Sequence, residues 1–225
     1  MPKITSVEPQ KKNPHRFNVF LNGEFAFGAD EDLVVDHRLV LGKIIEEVDL
    51  EKILFDSEVG KLMERIYGLF NIRARSEKEV RDYLKRVSFK RKAKRDEEIS
   101  PIVVESVVDR AIKKGLINDE GFARLWVEAR SKKKGKQLIK QELFQKGISR
   151  DIIEEVLTDS SHLSKESEQQ TAEKILSKKI KIWQDLPYLV KKKKACDFLM
   201  RRGFEYELAK IVVEKLIKNS YNTNI

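Results

Sequence analysis

Leu143-Phe144-Gln145-Lys146-Gly147-Ile148 and Leu199-Met200-Arg201-Arg202-Gly203-Phe204 are two copies of one short pattern. In each, an apolar helical stripe ends in a basic residue, a glycine and an apolar residue. A second stripe follows: Ile152, Ile153, Val156 and Leu157 after the first copy, Leu208, Ile211 and Val212 after the second. The copies superimpose without a gap. An earlier copy, Tyr83-Leu84-Lys85-Arg86-Val87, lacks the glycine and carries an insertion before its second stripe of Val103, Val104, Val107 and Val108. Weak repetition of this size marks stacked helical modules, each too small to hide its own apolar face. Neighbours are therefore expected to share a core, and the chain to form an elongated curved rod.

Working outward, three helical triplets emerge. Residues 58–117 form the first, with Val59, Leu62, Met63, Ile66 and Phe70 on one face. Ser76-Glu77-Lys78-Glu79 reads as a capping box opening its second helix, and Ser100-Pro101 as the cap and first residue of its third, which ends near Gly115. Between these two helices the charged segment Lys90 to Glu98 is expected to loop out, as a basic insert at 89–98. Residues 118–162 form the second repeat, with Phe122, Ala123, Leu125, Trp126 and Ala129 in its first helix and turns at Gly135 and Gly147. After a polar linker from Thr158 to Ser167, the third repeat and a frayed tail beyond Lys218 complete residues 163–225.

Residues 1–57 read differently, as a small α+β cap. Asn22-Gly23 is the dipeptide that best accepts positive φ at both turn positions, so Arg16 to Leu21 and Glu24 to Gly28 form a β-hairpin. In that register Phe20 pairs with Phe25, and Phe27 is expected on the same face. Ile4 to Val7 supplies a third strand, and Asp30 to Val35 and Ile44 to Leu54 are expected as short helices. The fold class is thus mainly α: three tandem three-helix repeats preceded by an α+β domain.

The 225 residues carry 46 Lys and Arg against 37 Asp and Glu, a formal net charge of +9, which favours a polyanion or an acidic protein as partner. With one cysteine, Cys196, neither an intramolecular disulfide nor a thiolate zinc site is expected, and a reducing cytoplasm suits the chain. Neither a signal peptide nor an apolar span of membrane length is read. His15, His37 and His162 are scattered over a hairpin, a loop and a linker without an acidic or nucleophilic neighbour in sequence, and are expected at the surface. Glycine loops for phosphates are missing, and Asp30-Glu31-Asp32 and Asp96-Glu97-Glu98 lack metal-ligand spacing. No cofactor, metal or catalytic set is expected. Trp126, Trp183 and Phe122 read as core residues because each lies in an apolar helical pattern.

Basic runs are the remaining signal. Lys90, Arg91, Lys92, Lys94 and Arg95 sit in the insert; Lys132, Lys133, Lys134 and Lys136 precede a helix; Lys191, Lys192, Lys193, Lys194, Arg201 and Arg202 bracket another. A charge run is ordinarily a solvated face. That reading leaves unexplained why such runs recur around the middle helix of two successive modules. Positive charge repeated along a rod suits a polyanionic groove.

Together these strings resemble the RecX family of regulators of the RecA recombinase. The matching text is Arg73-Ala74-Arg75-Ser76-Glu77-Lys78-Glu79-Val80 with Tyr83-Leu84, then Gly115-Leu116-Ile117-Asn118-Asp119-Glu120-Gly121-Phe122-Ala123 through Trp126 and Arg130. It continues with Gly135, Leu143, Lys146-Gly147-Ile148 and Phe198 to Phe204. The hairpin cap is similar to the amino-terminal extension of longer Gram-positive members. Val87-Ser88 departs from the family's basic-glycine pair. The resemblance implies a cytoplasmic, monomeric, non-enzymatic protein that binds the RecA filament, and single-stranded DNA at least indirectly. It would inhibit filament growth, ATP turnover and strand exchange, a role in recombination, DNA repair and the SOS response. Candidate contacts are Arg73, Arg75, Arg130 and Lys146 from the matching strings, and Lys132, Lys133, Lys134, Lys136, Lys191, Lys192, Lys193, Lys194, Arg201 and Arg202 from the basic runs. The alternative is a basic helix-turn-helix-like module that binds DNA directly. Against it, the helices after Ser149 and Phe204 carry Asp151, Glu154, Glu155, Glu205, Glu207 and Glu214, which repel phosphate.

Overall fold

The computed structural model describes residues 1–11, 13–94 and 97–222, with side chains of the last helix described to Ile217. The chain divides into two compact units, Met1–Ile117 and Asn118–Ile225.

The first unit opens with an antiparallel sheet, β1 (Ile4–Gln10), β2 (Asn13–Leu21) and β3 (Glu24–Asp30), in the order β1-β2-β3. Asn22 and Gly23 have φ of 51° and 90°, so the turn forms as its sequence requires. Phe20 pairs with Phe25, their rings edge-to-face at 6.0 Å. Phe27 is a correction. A bulge between Val19 and Phe20 sets Phe27 opposite Val19, so Phe27 is buried while Phe25 stays exposed on the other face. Behind the sheet lie α1 (Glu31–Asp36) and the start of α2 (Glu47–Phe70), closing a core of Ile4, Val19, Phe27, Ala29, Leu33, Leu39, Ile45 and Ile53.

Helix α2 is 24 residues long: the helix expected over Ile44 to Leu54 forms from Glu47 onward but does not stop there, running on through position 57/58, where the sequence divides the cap from the first triplet. Ile44 instead bridges to Lys3, and the helical stripe that starts at Ile53 continues unbroken into Val59, Leu62, Met63 and Ile66. With α3 (Glu77–Ala93) and α4 (Pro101–Lys113), α2 encloses a second core centred on Leu62, Ile66, Leu84, Val107 and Val108. Ser76 and Ser100 cap α3 and α4 as expected. Lys90 to Ala93 does not loop out. Those residues form the last turn of α3, where Lys90, Arg91 and Lys92 complement the helix dipole. Arg95 and Asp96 lie outside the described residues.

The second unit holds α5 (Asp119–Ser131), α6 (Lys136–Gln145) and α7 (Arg150–Asp159), then α8 (Lys165–Ile180), α9 (Tyr188–Met200) and α10 (Tyr206–Asn222). The expected polar linker is largely ordered: α7 reaches Asp159, a 3-10 turn at Ser161–Leu163 buries Leu163, and Ser164 caps α8. The backbone of α10 is helical to Asn222; the rest of the expected tail lies outside the described residues. Each triplet has its own core, one around Ile139, Leu143 and Ile153 and one around Leu176, Leu199 and Val213. The expectation of a shared core is therefore corrected. Three short helices suffice here because each contributes at least two buried apolar side chains to its triplet's core, and the second and third triplets join through polar backbone groups instead.

Candidate functional site

The joint between the second and third triplets gathers Lys132, Lys133, Lys134, Lys136, Arg201 and Arg202. Helix α5 starts on Asn118, whose Oδ1 accepts the Gly121 amide at 2.8 Å, and ends at buried Ser131, whose hydroxyl donates to the Glu128 carbonyl. Lys132 to Lys134 then lead to Gly135, the N-cap of α6, which has no side chain with which to cap. The first amides of a helix need acceptors from elsewhere. They find them in the third triplet. The Gly135 amide donates to the Arg202 carbonyl at 2.9 Å, and the Gln137 amide to the Gly203 carbonyl at 3.1 Å. The Lys136 amide donates to Glu168 Oε1 at 2.7 Å. Gly203 has φ +84°, and a Cβ on it would overlap Leu138, while a Cβ on Gly135 would overlap the Gly203 carbonyl. Two glycines thus permit the backbones to touch, and the contact brings Lys132–Lys136 beside Arg201 and Arg202.

Arg202 locks this joint: its Nη1 donates to the Lys133 carbonyl at 3.3 Å and its guanidinium lies 4.7 Å from the Phe198 ring centroid. Lys146 holds the same place in the preceding repeat. It precedes Gly147, which has φ +81°, and its Nζ lies 5.1 Å from the Trp126 ring. Trp126 is half-buried, stacks on Phe122 at 5.5 Å, donates its indole N–H to Glu142 at 2.9 Å, and has the Arg130 guanidinium 4.5 Å from its ring. Lys134 also turns onto Glu142. Arg130, Lys134 and Lys146 therefore surround one aromatic and one carboxylate.

Lys132, Lys133 and Arg201 are exposed and have no carboxylate partner among the described residues. Lys132 also borders a pocket of about 260 Å³ with Ser131, His162, Ser167, Thr171 and Lys174, and no carboxylate lines it. These exposed side chains give the joint a cationic outer surface.

The remaining candidates are not gathered there. Arg73 and Arg75 belong to the first unit. Arg73 makes a double hydrogen bond to Glu79 at 2.8 and 3.0 Å, which raises its pKa, and Arg75 is half-buried. Lys191 to Lys194 do not form one patch. Four consecutive helical residues span about 300° of the helix circumference, so they face different surroundings. Lys191 is buried at 4% exposure and donates to the Gln184 carbonyl at 2.9 Å. Lys192 pairs with Glu214 at 3.1 Å, a hydrogen bond that raises its pKa. Lys194 Nζ lies 5.3 Å from the Trp183 ring, and Lys193 is exposed. His15 and His162 are exposed as expected, whereas His37 is half-buried; His15 meets Glu31 at 2.9 Å and His37 meets Asp56 at 3.2 Å, carboxylates supplied by tertiary packing.

Sequence reasoning missed Glu168, a carboxylate with 8% exposure. Burial, foremost, and the nearby Glu205 charge raise its pKa above the ordinary range, although the Lys136 amide and charge oppose them. A carboxyl that keeps its proton longer when folded weakens the fold as pH rises from the ordinary glutamate range through the raised value. Below that range the penalty is absent. Glu168→Gln, which keeps an acceptor for the Lys136 amide, is expected to remove this fall and to equal or exceed the unaltered chain in stability at neutral pH. Glu168→Ala orphans the amide and is expected to cost roughly 1–2 kcal/mol. Urea unfolding across about pH 4 to 8 checks both; a Gln variant with the same pH slope as the unaltered chain would refute the assignment.

Among the described residues no helix is long and apolar enough to cross a membrane, and no three His, Cys, Asp or Glu side chains gather as a metal site.

Comparison with known proteins places these units. Residues 2–46 match the model described as regulatory protein RecX N-terminal domain. Residues 118–157 match the second three-helix domain of RecX and residues 166–213 the third. The regulatory protein RecX of Bacillus subtilis (strain 168) is 34% identical over 218 residues, covering 96% of this chain and 78% of that protein. That of Listeria monocytogenes serovar 1/2a is 32% identical over 210 residues, covering 92% and 73%. A solved crystal structure of regulatory protein RecX shares the fold with a TM-score of 0.76 at 24% identity, covering 95% of this chain and all of the other. The crystal structure of RecX from Lactobacillus salivarius aligns over 71% of this chain with a TM-score of 0.59 at 22% identity.

Proposed function

Because this chain belongs to the RecX family of regulatory proteins, we propose that it binds the filament of RecA recombinase on single-stranded DNA and restrains it by occupancy. The observation that carries this reading is the joint between the second and third triplets, where Lys132, Lys133 and Arg201 are exposed without a carboxylate partner among the described residues, beside the Arg202-Gly203 turn. A filament of protein on DNA is a long acidic thread, and a chain of modules binds it by several weak contacts whose combined avidity far exceeds each alone. Lodged there, the chain slows filament growth, ATP turnover and strand exchange without chemistry of its own. It acts as a cytoplasmic monomer.

A helix-turn-helix-like reading of duplex DNA is less well supported. In α7 the exposed side chains include Asp151 and Glu155, and in α10 they include Glu207. A recognition helix laid on phosphate would set those charges against the backbone.

The test is a time course of DNA-dependent ATP hydrolysis by RecA, with and without this chain at equal or lower molar ratio. Slowing is expected. Unchanged turnover at saturating chain would overturn the proposal, and unchanged turnover together with tight binding to duplex DNA would favour the helix-turn-helix-like reading.

A further inference from the structure

A groove of about 530 Å³ runs between α2 and α3 in the first unit, far along the sequence from the joint described above. Its rim carries Lys61 and Arg65 from α2 and Lys90 and Lys94 from the end of α3. Arg91 forms part of the wall, and no carboxylate lines it among the described residues. The two nearest acids on α2 are already engaged: Glu58 by Arg91, and Glu64 by Arg16 and Asn13, each at 3.0 Å. Lys61, Arg65, Lys90 and Lys94 are left without a carboxylate partner among the described residues. Arg91 donates through Nη1 to Glu58, and its Nη2 is buried without an acceptor. Favourable interaction with the helix dipole accounts for basic residues at the end of α3, but not for the two facing them from α2.

The groove also holds aromatic surface. Phe89 is 72% exposed and Tyr83 is half-buried; both line the groove among the cations. A large apolar ring held open to water between unpaired ammonium groups has no structural use in the core, which is closed by Leu84 and Val87. Cations that follow a phosphate backbone, together with a ring on which a base can stack, are the two parts of a single-strand binding surface. A duplex hides its base faces and leaves such a ring idle.

We infer that this groove binds single-stranded nucleic acid directly, phosphates on Lys61, Arg65, Lys90 and Lys94 and a base on Phe89. Its occupant is the strand itself, so binding needs no recombinase, and the inference stands apart from the reading of the joint.

The test measures binding of a labelled oligothymidylate to the full chain across a salt series, without recombinase and against a duplex of the same length. The single strand is expected to bind more tightly. Reversing Lys90 and Lys94 to Glu should weaken it at least about tenfold and flatten the logarithmic salt slope by about 1.4. Phe89→Ala should weaken it roughly five- to hundred-fold, and Phe89→Trp should retain affinity and show fluorescence quenching by bases. All three positions are exposed, and circular dichroism checks that the helices persist. Unchanged affinity in the charge variant, or equal affinity of Phe89→Ala and the unaltered chain, would overturn the inference. So would variants that lose recombinase inhibition while keeping strand affinity, because the groove would then hold protein. RecA ATP turnover measured in parallel keeps the two proposals separate: failure of the unaltered chain to slow it counts against the filament reading alone.

Discussion

Gly203→Ala is expected to destabilise the second unit by roughly 3 kcal/mol. An L-residue at the Gly203 φ of +84° costs roughly 1–2 kcal/mol by conformation alone. The added methyl also overlaps the backbone of Leu138, which has no flexible end to swing aside. Relieving that overlap separates the turn from α6 and strains two hydrogen bonds, Gly135 to Arg202 and Gln137 to Gly203, worth roughly 1 kcal/mol each. Two controls divide these effects. Gly115 has φ +70° with open space around it, so Gly115→Ala carries only the conformational penalty. Gly135 has φ −81°, so Gly135→Ala carries only the overlap with the Gly203 carbonyl. Urea unfolding is followed by the fluorescence of Trp126 and Trp183 for the second unit and by far-ultraviolet circular dichroism for Gly115→Ala, which lies in the first unit. Equal losses for Gly203→Ala and Gly115→Ala would show that close approach of the modules contributes nothing.

Reversing Lys132, Lys133 and Arg201 together to Glu is expected to weaken inhibition of the recombinase about ten- to hundred-fold with helicity intact. Each exposed charge contributes roughly 0.5–1 kcal/mol to a complementary surface, so three add to one or two powers of ten. The weakening should shrink at high salt, since screening already removes much of the attraction. These three are the informative targets because neighbouring cations have structural duties. Lys134 neutralises Glu142, Arg202 bonds the Lys133 carbonyl, and Lys191 is buried. Reversing any of those confounds binding with folding. Inhibition curves and circular dichroism of the triple variant settle the matter: undiminished inhibition by a folded triple variant removes the joint as the contact surface.

The repeat itself was legible because a helix that buries one face must space its apolar residues by three and four. Leu143, Ile153, Leu199 and Val212 obey that rule and are all buried. The hairpin was legible because few dipeptides tolerate the turn at Asn22 and Gly23. The bulge that turned Phe27 inward was not, since one extra residue in a strand changes side without changing the local pattern. Nor was the helical end of α3, where a cluster of like charges resembles a loop until the helix dipole is counted. For the basic residues the sequence supplied the candidates and left their directions open. Among Lys191 to Lys194 one is buried, one is ion-paired, one lies over an indole and one is exposed.

From the sequence alone came the three helical triplets, the hairpin cap and the excess of positive charge, all properties of spacing and composition between near neighbours. Only the tertiary structure decided that each triplet closes its own core and that Gly135 meets Gly203. It also decided which cations remain free to meet a partner. Those outcomes depend on contacts between residues tens of positions apart, where a buried carboxylate such as Glu168 or a backbone carbonyl fixes what a charged side chain is left to do.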